Sequence, residues 1–259
     1  MTTPDAPPVD PDLLRFAVDL ARRAGEITLG WFAAADLAVE SKADGTPVTA
    51  ADRAAERFVR EQLAEHHPDD TIIGEEEPVH DGTSGRRWIL DPIDGTKAFT
   101  RGVPLYSTLL ALDDEHGPAI GVIGLPAVGQ MVWAGRGRGC WFDGRPARVS
   151  DTTSVDGAYL MSSSYSHWPE PSLLAVKRSG AHLRTWGDGY GYALVATGRA
   201  DAMVDPEAEL YDVAPYPVIL AEAGGRFTSL DGHPSAAAGS GIATNGLLHD
   251  DLLKLLATA

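Results

Sequence analysis

Two carboxylates three residues apart, Asp91 and Asp94, follow an apolar run and precede a glycine within Trp88–Phe99. Carboxylate oxygens are ligands that Mg²⁺ prefers, and the end of one strand would deliver both to the same place. Gly95 and Thr96 fit the start of a short helix, whose first backbone amides can face an anion. The segment therefore predicts a site for a divalent metal ion and a phosphate group.

Two further acidic residues lie elsewhere in the sequence, each next to a predicted strand or helix. Glu75 follows the β-like run 71–74, and Asp212 begins a predicted helix. Hydrolysis of a phosphate monoester requires neutralised phosphate oxygens and an ionised water, which two Mg²⁺ ions about 4 Å apart can provide. Because strand ends and helix starts can meet in a fold, these residues and the first pair predict a metal-assisted phosphatase.

Each carboxylate also has a structural interpretation that the sequence leaves open. Paired aspartates are common in solvated turns, and Glu75 belongs to an acidic run, 75–77, that solvation alone would explain. Asp212 would serve as a helix cap, and Asp52, in the first turn of a predicted helix, would be an exposed residue that the helix dipole favours. The apolar residues before Glu75 favour a role in the site, and capping by Asp212 is compatible with metal binding.

Composition argues against several other classes of protein. The chain has 259 residues, of which 44% are hydrophobic, so it can bury a sizeable core. Its 37 acidic and 21 basic residues give a net charge of −16, which disfavours broad binding to nucleic acid or to an anionic membrane. Cys140, the only cysteine, precedes two aromatic residues and is expected to pack rather than to react. With no signal-like N-terminus and no uncharged apolar run of membrane-spanning length, we expect a cytoplasmic protein.

The predicted elements divide the chain into a loose tail and two subdomains. Residues 1–10 are polar and proline-rich, and Asp10 then caps a helix that begins with proline. Residues 11–150 contain two amphipathic helices and a series of short strands, which predicts an N-terminal α+β subdomain with the metal-binding motifs. In residues 151–259 strands and helices alternate, as expected of a C-terminal α/β subdomain with the substrate pocket. One of its predicted helices runs from Asp212 through two prolines.

Three segments resemble the signatures of the inositol monophosphatase family of metal-dependent, lithium-sensitive phosphatases. They are Gly74–Glu76, Asp91–Thr96, and Tyr211-Asp212 followed by Glu222–Gly225. Three spaced signatures in the right order make coincidence improbable, and the resemblance covers nearly the whole chain. It implies an α+β fold, a layered α-β-α-β-α sandwich with the active site between two subdomains, and a homodimer that acts on a small phosphate ester.

The resemblance also implies a set of metal ligands. Glu75, Asp91 and the backbone carbonyl of Ile93 would hold one Mg²⁺ ion. Asp91, Asp94 and Asp212 would hold a second ion. Mg²⁺ is therefore the expected cofactor, with two or three ions in each site.

Catalytic and phosphate-binding roles follow from the same resemblance. Glu75, Thr96 and Asp52 would orient the attacking water, and the amides of Gly95 and Thr96 would receive the phosphate. Lys42 would neutralise a third metal site or a charge on the substrate, although a flexible surface lysine explains it equally well.

The alcohol part of the substrate is predicted from the second half of the chain. Trp186–Tyr192 lies where inositol phosphatases usually carry a Gly-Thr-Ala-like stretch, and it contributes Asp188, while Glu209 lies just before the metal-binding aspartate. Carboxylates there would form charge pairs with a cationic alcohol but would gain only hydrogen bonds from neutral inositol. With Gly225–Gly232 and Ala243–Gly246, the stretch is similar to the histidinol-phosphate phosphatases of this family found in actinobacteria.

The resemblance therefore implies hydrolysis of L-histidinol phosphate, with Asp188, Arg184, Glu209 and Asp212 on the substrate side, beside the phosphate-binding turn. Asp188 is equally well explained as a helix cap, and Arg184 as a contact to the substrate or to a partner subunit. Tyr211 stands where the family usually has tryptophan, a departure that concerns the pocket wall more than the metal ligand.

Two alternative functions stay open at this point. One is a broad phosphatase that acts on inositol phosphate and on other sugar or nucleotide monophosphates. The other is a catalytically silent regulator that uses the fold only to bind a phosphorylated ligand, and the complete set of expected metal ligands argues against it.

Overall fold

The structure is a computed structural model that describes residues 6–34, 39–41 and 47–257. Within these ranges the helices are α1 (Pro11–Leu29), α2 (Ala50–His66), α3 (Thr96–Phe99), α4 (Glu170–Arg178), α5 (Asp188–Ala196), α6 (Leu210–Val213), α7 (Tyr216–Ala223) and α8 (His249–Ala257). The strands are β1 (Val39–Ser41), β2 (Pro47–Thr49), β3 (Thr71–Gly74), β4 (Arg87–Asp94), β5 (Ser107–Asp114), β6 (Gly117–Leu125), β7 (Gln130–Gly135), β8 (Gly139–Phe142), β9 (Arg145–Pro146), β10 (Tyr159–Met161), β11 (His182–Arg184), β12 (Ala202–Asp205), β13 (Arg226–Thr228) and β14 (Gly241–Thr244).

The larger sheet has seven strands in the order β3-β4-β5-β6-β7-β8-β9. β3 pairs with β4 in parallel, and the remaining neighbours are antiparallel. α1 and α2 cover one face, where Ala17, Leu20 and Leu63 share a buried cluster with Trp88 and Leu110 of the sheet. Apolar residues at helical spacing thus bury one face of each helix against the strands.

The smaller sheet has five strands in the order β11-β10-β12-β14-β13. α4 and α8 cover its outer face, where Val176 and Leu252 pack against Leu160, Val204 and Ile242. α5 and α7 lie between the two sheets, because the same buried cluster contains their side chains and residues of both sheets. The layers therefore run helix, sheet, helix, sheet, helix, which confirms the fold predicted from the sequence.

A subdomain boundary near residue 150 stays a proposal. It falls between β9, the last strand of the larger sheet, and β10, the first strand of the smaller one. The core does not divide there, since Leu109 and Ile123 of the larger sheet share a cluster with Met203 of the smaller one. Packing through α5 and α7 joins the two halves.

The first helix begins as predicted, but the described residues before it, 6–10, are held by hydrogen bonds rather than loose. Asp10 caps α1 by accepting a hydrogen bond from the amide of Asp12 at 2.8 Å. Val9 is buried, and its amide donates to the carbonyl of Arg136. The Arg136 guanidinium in turn donates to the Pro7 carbonyl at 2.9 Å. Hydrogen bonds to the β7–β8 hairpin therefore hold the described part of the expected tail, residues 6–10.

The helix predicted to continue from Asp212 is two helices. α6 ends at Val213 and α7 begins at Tyr216, with Pro215 at the junction. Proline lacks a backbone N–H and its ring crowds the preceding turn, so a continuous helix is interrupted at this point. The break turns α6 toward the larger sheet, where Leu210 and Tyr211 pack beside Ile89.

Two predictions about individual features can be compared with the structure directly. Cys140 is buried in the core, and burial raises the pKa of its thiol to about 12, as expected for a packing residue. No helix among the described residues is both long enough and apolar enough to cross a membrane.

Candidate metal and phosphate site

A β-bulge in β4 brings Asp91 and Asp94 to the same side of the larger sheet. Side chains three residues apart on a regular strand point to opposite faces. Here Asp91 pairs with Leu109 and Asp94 with Ser107, so β4 uses one more residue than β5 across this interval. The bulge is held by a hydrogen bond from the Thr108 hydroxyl to the Pro92 carbonyl at 2.9 Å. The extra residue thus shifts the alternation of side chains between the two faces of the sheet, so that both carboxylates point to the same side.

Asp212 completes a cluster with these two residues. One carboxylate oxygen from each of Asp91, Asp94 and Asp212 lies within 4.8 Å of the other two. Burial and neighbouring carboxylates, Glu75 foremost for Asp91, raise the pKa values of Asp91 and Asp94 well above the ordinary range. Burial, with the charge of Glu75, raises the pKa of Asp212 to about 7. Buried hard oxygen donors that repel one another form a donor set that fits a divalent cation such as Mg²⁺.

Glu75 lies beside this cluster, since its charge is, after burial, the largest cause of the raised pKa of Asp91. Its position depends on Glu56 of α2, a fully buried residue that was not among the predicted site residues. The Glu56 carboxylate accepts the backbone amides of Glu76 at 2.9 Å and Glu77 at 3.0 Å. Arg60 donates to the same carboxylate at 2.8 Å. A buried carboxylate on α2 therefore fixes the loop that carries Glu75.

Glycine at position 74 is required by this arrangement. A β-carbon on Gly74 would lie 2.1 Å from a carboxylate oxygen of Glu56, so no larger residue fits without displacing it. Packing against Glu56 thus explains why the Gly-Glu-Glu signature begins with glycine in this chain. The only sequence signal for Glu56 was its place on the second helix one turn after Asp52.

Replacing Glu56 with glutamine should lower kcat/KM by about 10- to 100-fold, since small displacements of catalytic groups have effects of this size. The glutamine side chain has one acceptor oxygen, so it cannot accept both loop amides and Arg60 as the carboxylate does. The loop would shift, and Glu75 with it. Steady-state kinetics across a Mg²⁺ titration measure the effect.

Glu222 provides a matched control for that variant. Its carboxylate also accepts two backbone amides, those of Gly137 at 2.6 Å and Gly139 at 2.7 Å, on the β7–β8 hairpin. Glu222→Gln makes the same chemical change away from the cluster and should leave kcat/KM within about twofold, in line with surface substitutions elsewhere. Equal activity of the Glu56→Gln variant and the parent would show that the loop does not depend on Glu56.

Asp52 is buried behind Glu75 at the start of α2. One of its oxygens accepts the amide of Thr49 at 2.8 Å and the Thr49 hydroxyl at 2.6 Å, which forms a capping interaction. The other oxygen is buried and has no hydrogen-bond partner among the residues that the structure describes. Burial raises the pKa of Asp52, and the charge of Glu75 adds to this shift. Asp52 is therefore not the exposed first-turn residue of the structural interpretation, because it is buried, with one oxygen capping α2 and the second available to the site.

The predicted turn after Asp94 forms the start of α3. Gly95 adopts the left-handed conformation with φ of 85°, which favours glycine, and precedes the first helical residue, Thr96. The Thr96 hydroxyl donates to the Ile93 carbonyl at 3.1 Å, so both residues lie together at the bulge. Backbone amides at this helix start have no intrahelical acceptor and point away from the helix. The turn is suited to bind a phosphate next to the carboxylate cluster.

Asp188 lies against this turn, as the sequence predicted for a substrate-contacting residue. A β-carbon on Gly95 would be 2.7 Å from an Asp188 carboxylate oxygen. The alternative interpretation of Asp188 as a helix cap is wrong, because Gly187 is the N-cap of α5 and Asp188 is its first residue. Asp188 has a positive φ of 52°, an uncommon conformation for a non-glycine residue that is enriched at functional sites. The next amide, of Gly189, donates to Asp94 and joins α5 to the cluster.

Asp205, at the end of β12, is a second carboxylate on this side of the site, and the sequence analysis missed it. It is almost fully buried and accepts hydrogen bonds from the Tyr192 hydroxyl and the Ser163 amide, both at 3.0 Å. Burial, followed by the charge of Asp205, raises the pKa of Asp188 to about 6. Asp205 ends a buried strand just as Asp91 follows one, and that pattern was the signal that could have found it.

The remaining predicted residues lie at the margins. Glu209 is exposed at the start of α6, where its amide donates to Asp212 at 2.8 Å, and it lines an open cleft of about 300 Å³. Arg184 lies on the edge strand β11, with its guanidinium over the rings of Tyr159 and Trp186. Its substrate contact stays a prediction, and Lys42 lies outside the described residues.

Comparisons with known proteins identify the family of this chain. The family described as "Inositol monophosphatase family" matches residues 10–259. The histidinol-phosphatase of Mycobacterium tuberculosis is 44% identical over 254 residues, covering 95% of this chain and 98% of that protein. The histidinol-phosphatase of Streptomyces coelicolor is 41% identical, with coverage of 95% and 97%. Among solved structures, an IMPase of Thermotoga maritima superposes with a TM-score of 0.87 at 30% identity, covering 95% of this chain and 97% of that one. The chain therefore belongs to the inositol monophosphatase family.

Proposed function

We propose that this protein is a Mg²⁺-dependent phosphatase that hydrolyses L-histidinol phosphate to L-histidinol and phosphate. The observation that carries the substrate assignment is the pair formed by the half-buried Asp188 and the buried Asp205, which adds two carboxylates beyond the metal cluster and beside the phosphate-binding turn. Relatives named histidinol-phosphatase, 39% to 44% identical to this chain over at least 90% of its length, support the same assignment. Histidine biosynthesis is the corresponding pathway.

Different residues of the chain bind the phosphate, orient the attacking water and face the leaving alcohol. The amides at Gly95 and Thr96 bind the phosphate, which places the phosphorus atom next to the carboxylate cluster. Glu75 orients the attacking water, with the buried Asp52 behind it and the Thr96 hydroxyl alongside. Attack on phosphorus breaks the bond to the alcohol oxygen, and the alcohol leaves toward the side that carries Asp188.

The proposed metal ligands are the residues that the sequence analysis assigns to this role. Glu75, Asp91 and the Ile93 carbonyl would hold one Mg²⁺ ion, and Asp91 with Asp94 and Asp212 would hold a second. When bound, these ions supply positive charge to the phosphate oxygens and favour ionisation of the attacking water. Without such charge, the buried carboxylates would repel the phosphate rather than attract it.

Electrostatics favour a cationic alcohol over a neutral one. Asp205 is buried and Asp188 is half-buried, and charge pairs in such positions are screened less than at an open surface. The ammonium and imidazole of histidinol would form charge-assisted hydrogen bonds with them, whereas the hydroxyls of inositol would form only ordinary hydrogen bonds. The carboxylates thus raise the preference for histidinol phosphate.

A broader phosphatase of the same mechanism is the second candidate. A relative from Thermotoga maritima named fructose-1,6-bisphosphatase/inositol-1-monophosphatase is 30% identical over 247 residues. It shares the fold and family but stands further from this chain than the histidinol-phosphatases do. A preference for inositol phosphate would favour this function.

The decisive measurement is phosphate release from L-histidinol phosphate and from inositol 1-phosphate, side by side, in Mg²⁺ with and without a chelator. We expect a preference for histidinol phosphate of about 100-fold in kcat/KM, since charge-assisted contacts to Asp188 and Asp205 together are expected to contribute on this scale. Chelation should abolish both activities. Equal rates on the two esters would replace our assignment with the broader one, and a folded protein inactive on both would favour the silent regulator.

We further propose that the enzyme acts as a cytoplasmic homodimer. The support is the family membership together with the absence of a spanning helix among the described residues. Light scattering of the purified protein would measure the assembly, and a monomer at micromolar concentration would contradict the proposal.

A further inference from the structure

Two tyrosines stack next to Asp205, on the side of the site where the alcohol of the substrate would bind. Tyr192 of α5 and Tyr216 of α7 have ring centroids 3.6 Å apart and planes inclined by only 14°. Both side chains are buried in the cluster that joins the two sheets. Each ring therefore fixes the position of the other.

The hydroxyl groups of the two rings have different surroundings. The Tyr192 hydroxyl donates to a carboxylate oxygen of Asp205 at 3.0 Å. The Tyr216 hydroxyl is buried and has no hydrogen-bond partner among the described residues. The two stacked rings thus differ in their hydroxyl groups. Within the described part of the chain, the Tyr192 hydroxyl binds a carboxylate and the Tyr216 hydroxyl does not.

A glycine on the neighbouring strand makes room for that hydroxyl. Gly241 of β14 pairs with Asp205 of β12, and a β-carbon on it would lie 2.9 Å from the Tyr192 hydroxyl. Any larger residue would crowd the hydroxyl where it meets the carboxylate. The sheet thus accommodates the contact between Tyr192 and Asp205.

Asp205 is held on its other side by a residue that also binds Asp188. The Ser163 amide donates to Asp205 at 3.0 Å, and the Ser163 hydroxyl accepts the amide of Asp188 at 2.9 Å. One serine therefore sets the spacing of the two aspartates. Tyr192 supplies the remaining contact that fixes the Asp205 carboxylate.

We propose that Tyr192 is a positioning residue for substrate selection, which holds the Asp205 carboxylate toward the cationic end of the alcohol. The inference rests on the proposed function, because it assigns Asp205 to recognition of a cationic leaving group. Phosphate binding and water attack take place at the metal cluster, so loss of the Tyr192 hydroxyl should affect binding of the alcohol and spare the chemical step. Selection and chemistry are therefore separable by mutation.

The test compares Tyr192→Phe with Tyr216→Phe, two variants that remove one hydroxyl each from the same stack. We expect Tyr192→Phe to raise KM for L-histidinol phosphate about tenfold, the scale of a lost hydrogen bond to a charged group. The value of kcat should stay within about twofold, as should KM for glycerol 2-phosphate, whose alcohol is neutral. Tyr216→Phe should leave the ratio of the two KM values unchanged, and Asp205→Asn should lower selectivity at least as far as Tyr192→Phe does.

Binding of L-histidinol provides a readout that does not depend on turnover. Calorimetry in chelator should show weaker binding to Tyr192→Phe than to the parent, by about the same tenfold factor. Thermal unfolding of each variant checks that the fold is retained. Phenylalanine preserves the ring in both positions, so the stack should survive.

The outcomes separate the inference from the proposed function. A parent enzyme with no preference for histidinol phosphate would remove the proposed function and with it this role for Asp205. A parent with the preference, together with a Tyr192→Phe variant that keeps it, would overturn the inference alone. Equal losses on both substrates would mean that Tyr192 supports the fold rather than selection.

Discussion

Replacing Asp94 with asparagine should reduce turnover by a factor on the order of 10³, because a metal-stabilised transition state loses one of its charged ligands. The fold should remain intact. An asparagine oxygen can still accept from the Ser107 hydroxyl and the Gly189 amide, as Asp94 does now. Loss of one negative charge from a buried cluster also relieves repulsion, so the metal-free protein should be at least as stable as the parent. Steady-state kinetics and thermal unfolding with and without Mg²⁺ measure both effects.

Asp201 provides a matched control for this substitution. Asp94 and Asp201 are both 7% exposed, and Asp201 likewise accepts from a serine hydroxyl, Ser150 at 2.6 Å, and from a backbone amide, Tyr159 at 2.7 Å. Asp201→Asn should keep its turnover and the stabilisation by Mg²⁺, whereas Asp94→Asn should lose most of both. An active Asp94→Asn variant would remove the metal cluster from the mechanism.

Replacing Asp188 with asparagine should lower kcat/KM for histidinol phosphate by about 10- to 100-fold, the range for a lost hydrogen bond to a charged group. The effect on glycerol 2-phosphate should be much smaller, because a neutral alcohol does not form a charge pair with Asp188. Asparagine tolerates the positive φ of this position, so the backbone should not be strained. Kinetics on the two esters at fixed Mg²⁺ give the comparison.

Asp143 controls for the backbone conformation in that experiment. It is an aspartate with a similar positive φ, 48°, and it accepts the amide of Met131 on the β7–β8 hairpin. Asp143→Asn should change neither substrate's kcat/KM. If Asp188→Asn affected both esters equally, selection by charge at this position would be refuted and Asp188 would have only a role in shaping the turn.

The sequence by itself determined the first two helices, the strands that lead to Glu75 and Asp91, and the chemical type of the site. α1 begins at Pro11 after the Asp10 cap, as its local sequence predicts, and α2 follows from its own apolar stripe. The Asp-x-x-Asp-Gly-Thr run predicted both the paired carboxylates and the short helix that begins after Gly95. These features depend on contacts within a few residues, on capping and on hydrophobic periodicity, so the order of amino acids is sufficient to predict them.

Only the tertiary structure decided which of these groups meet. Three residues apart on a strand, Asp91 and Asp94 would diverge, and the bulge opposite β5 brings them together. Glu56 and Asp205 gain their roles from partners 20 and 42 residues away, the Glu76 amide and the Ser163 amide. No local pattern encodes such pairs, because they arise when α2 packs on the larger sheet and when β10 lies beside β12. The sequence thus determined which chemical groups are available, and the packing of distant elements decided their distances, their burial and therefore their charges.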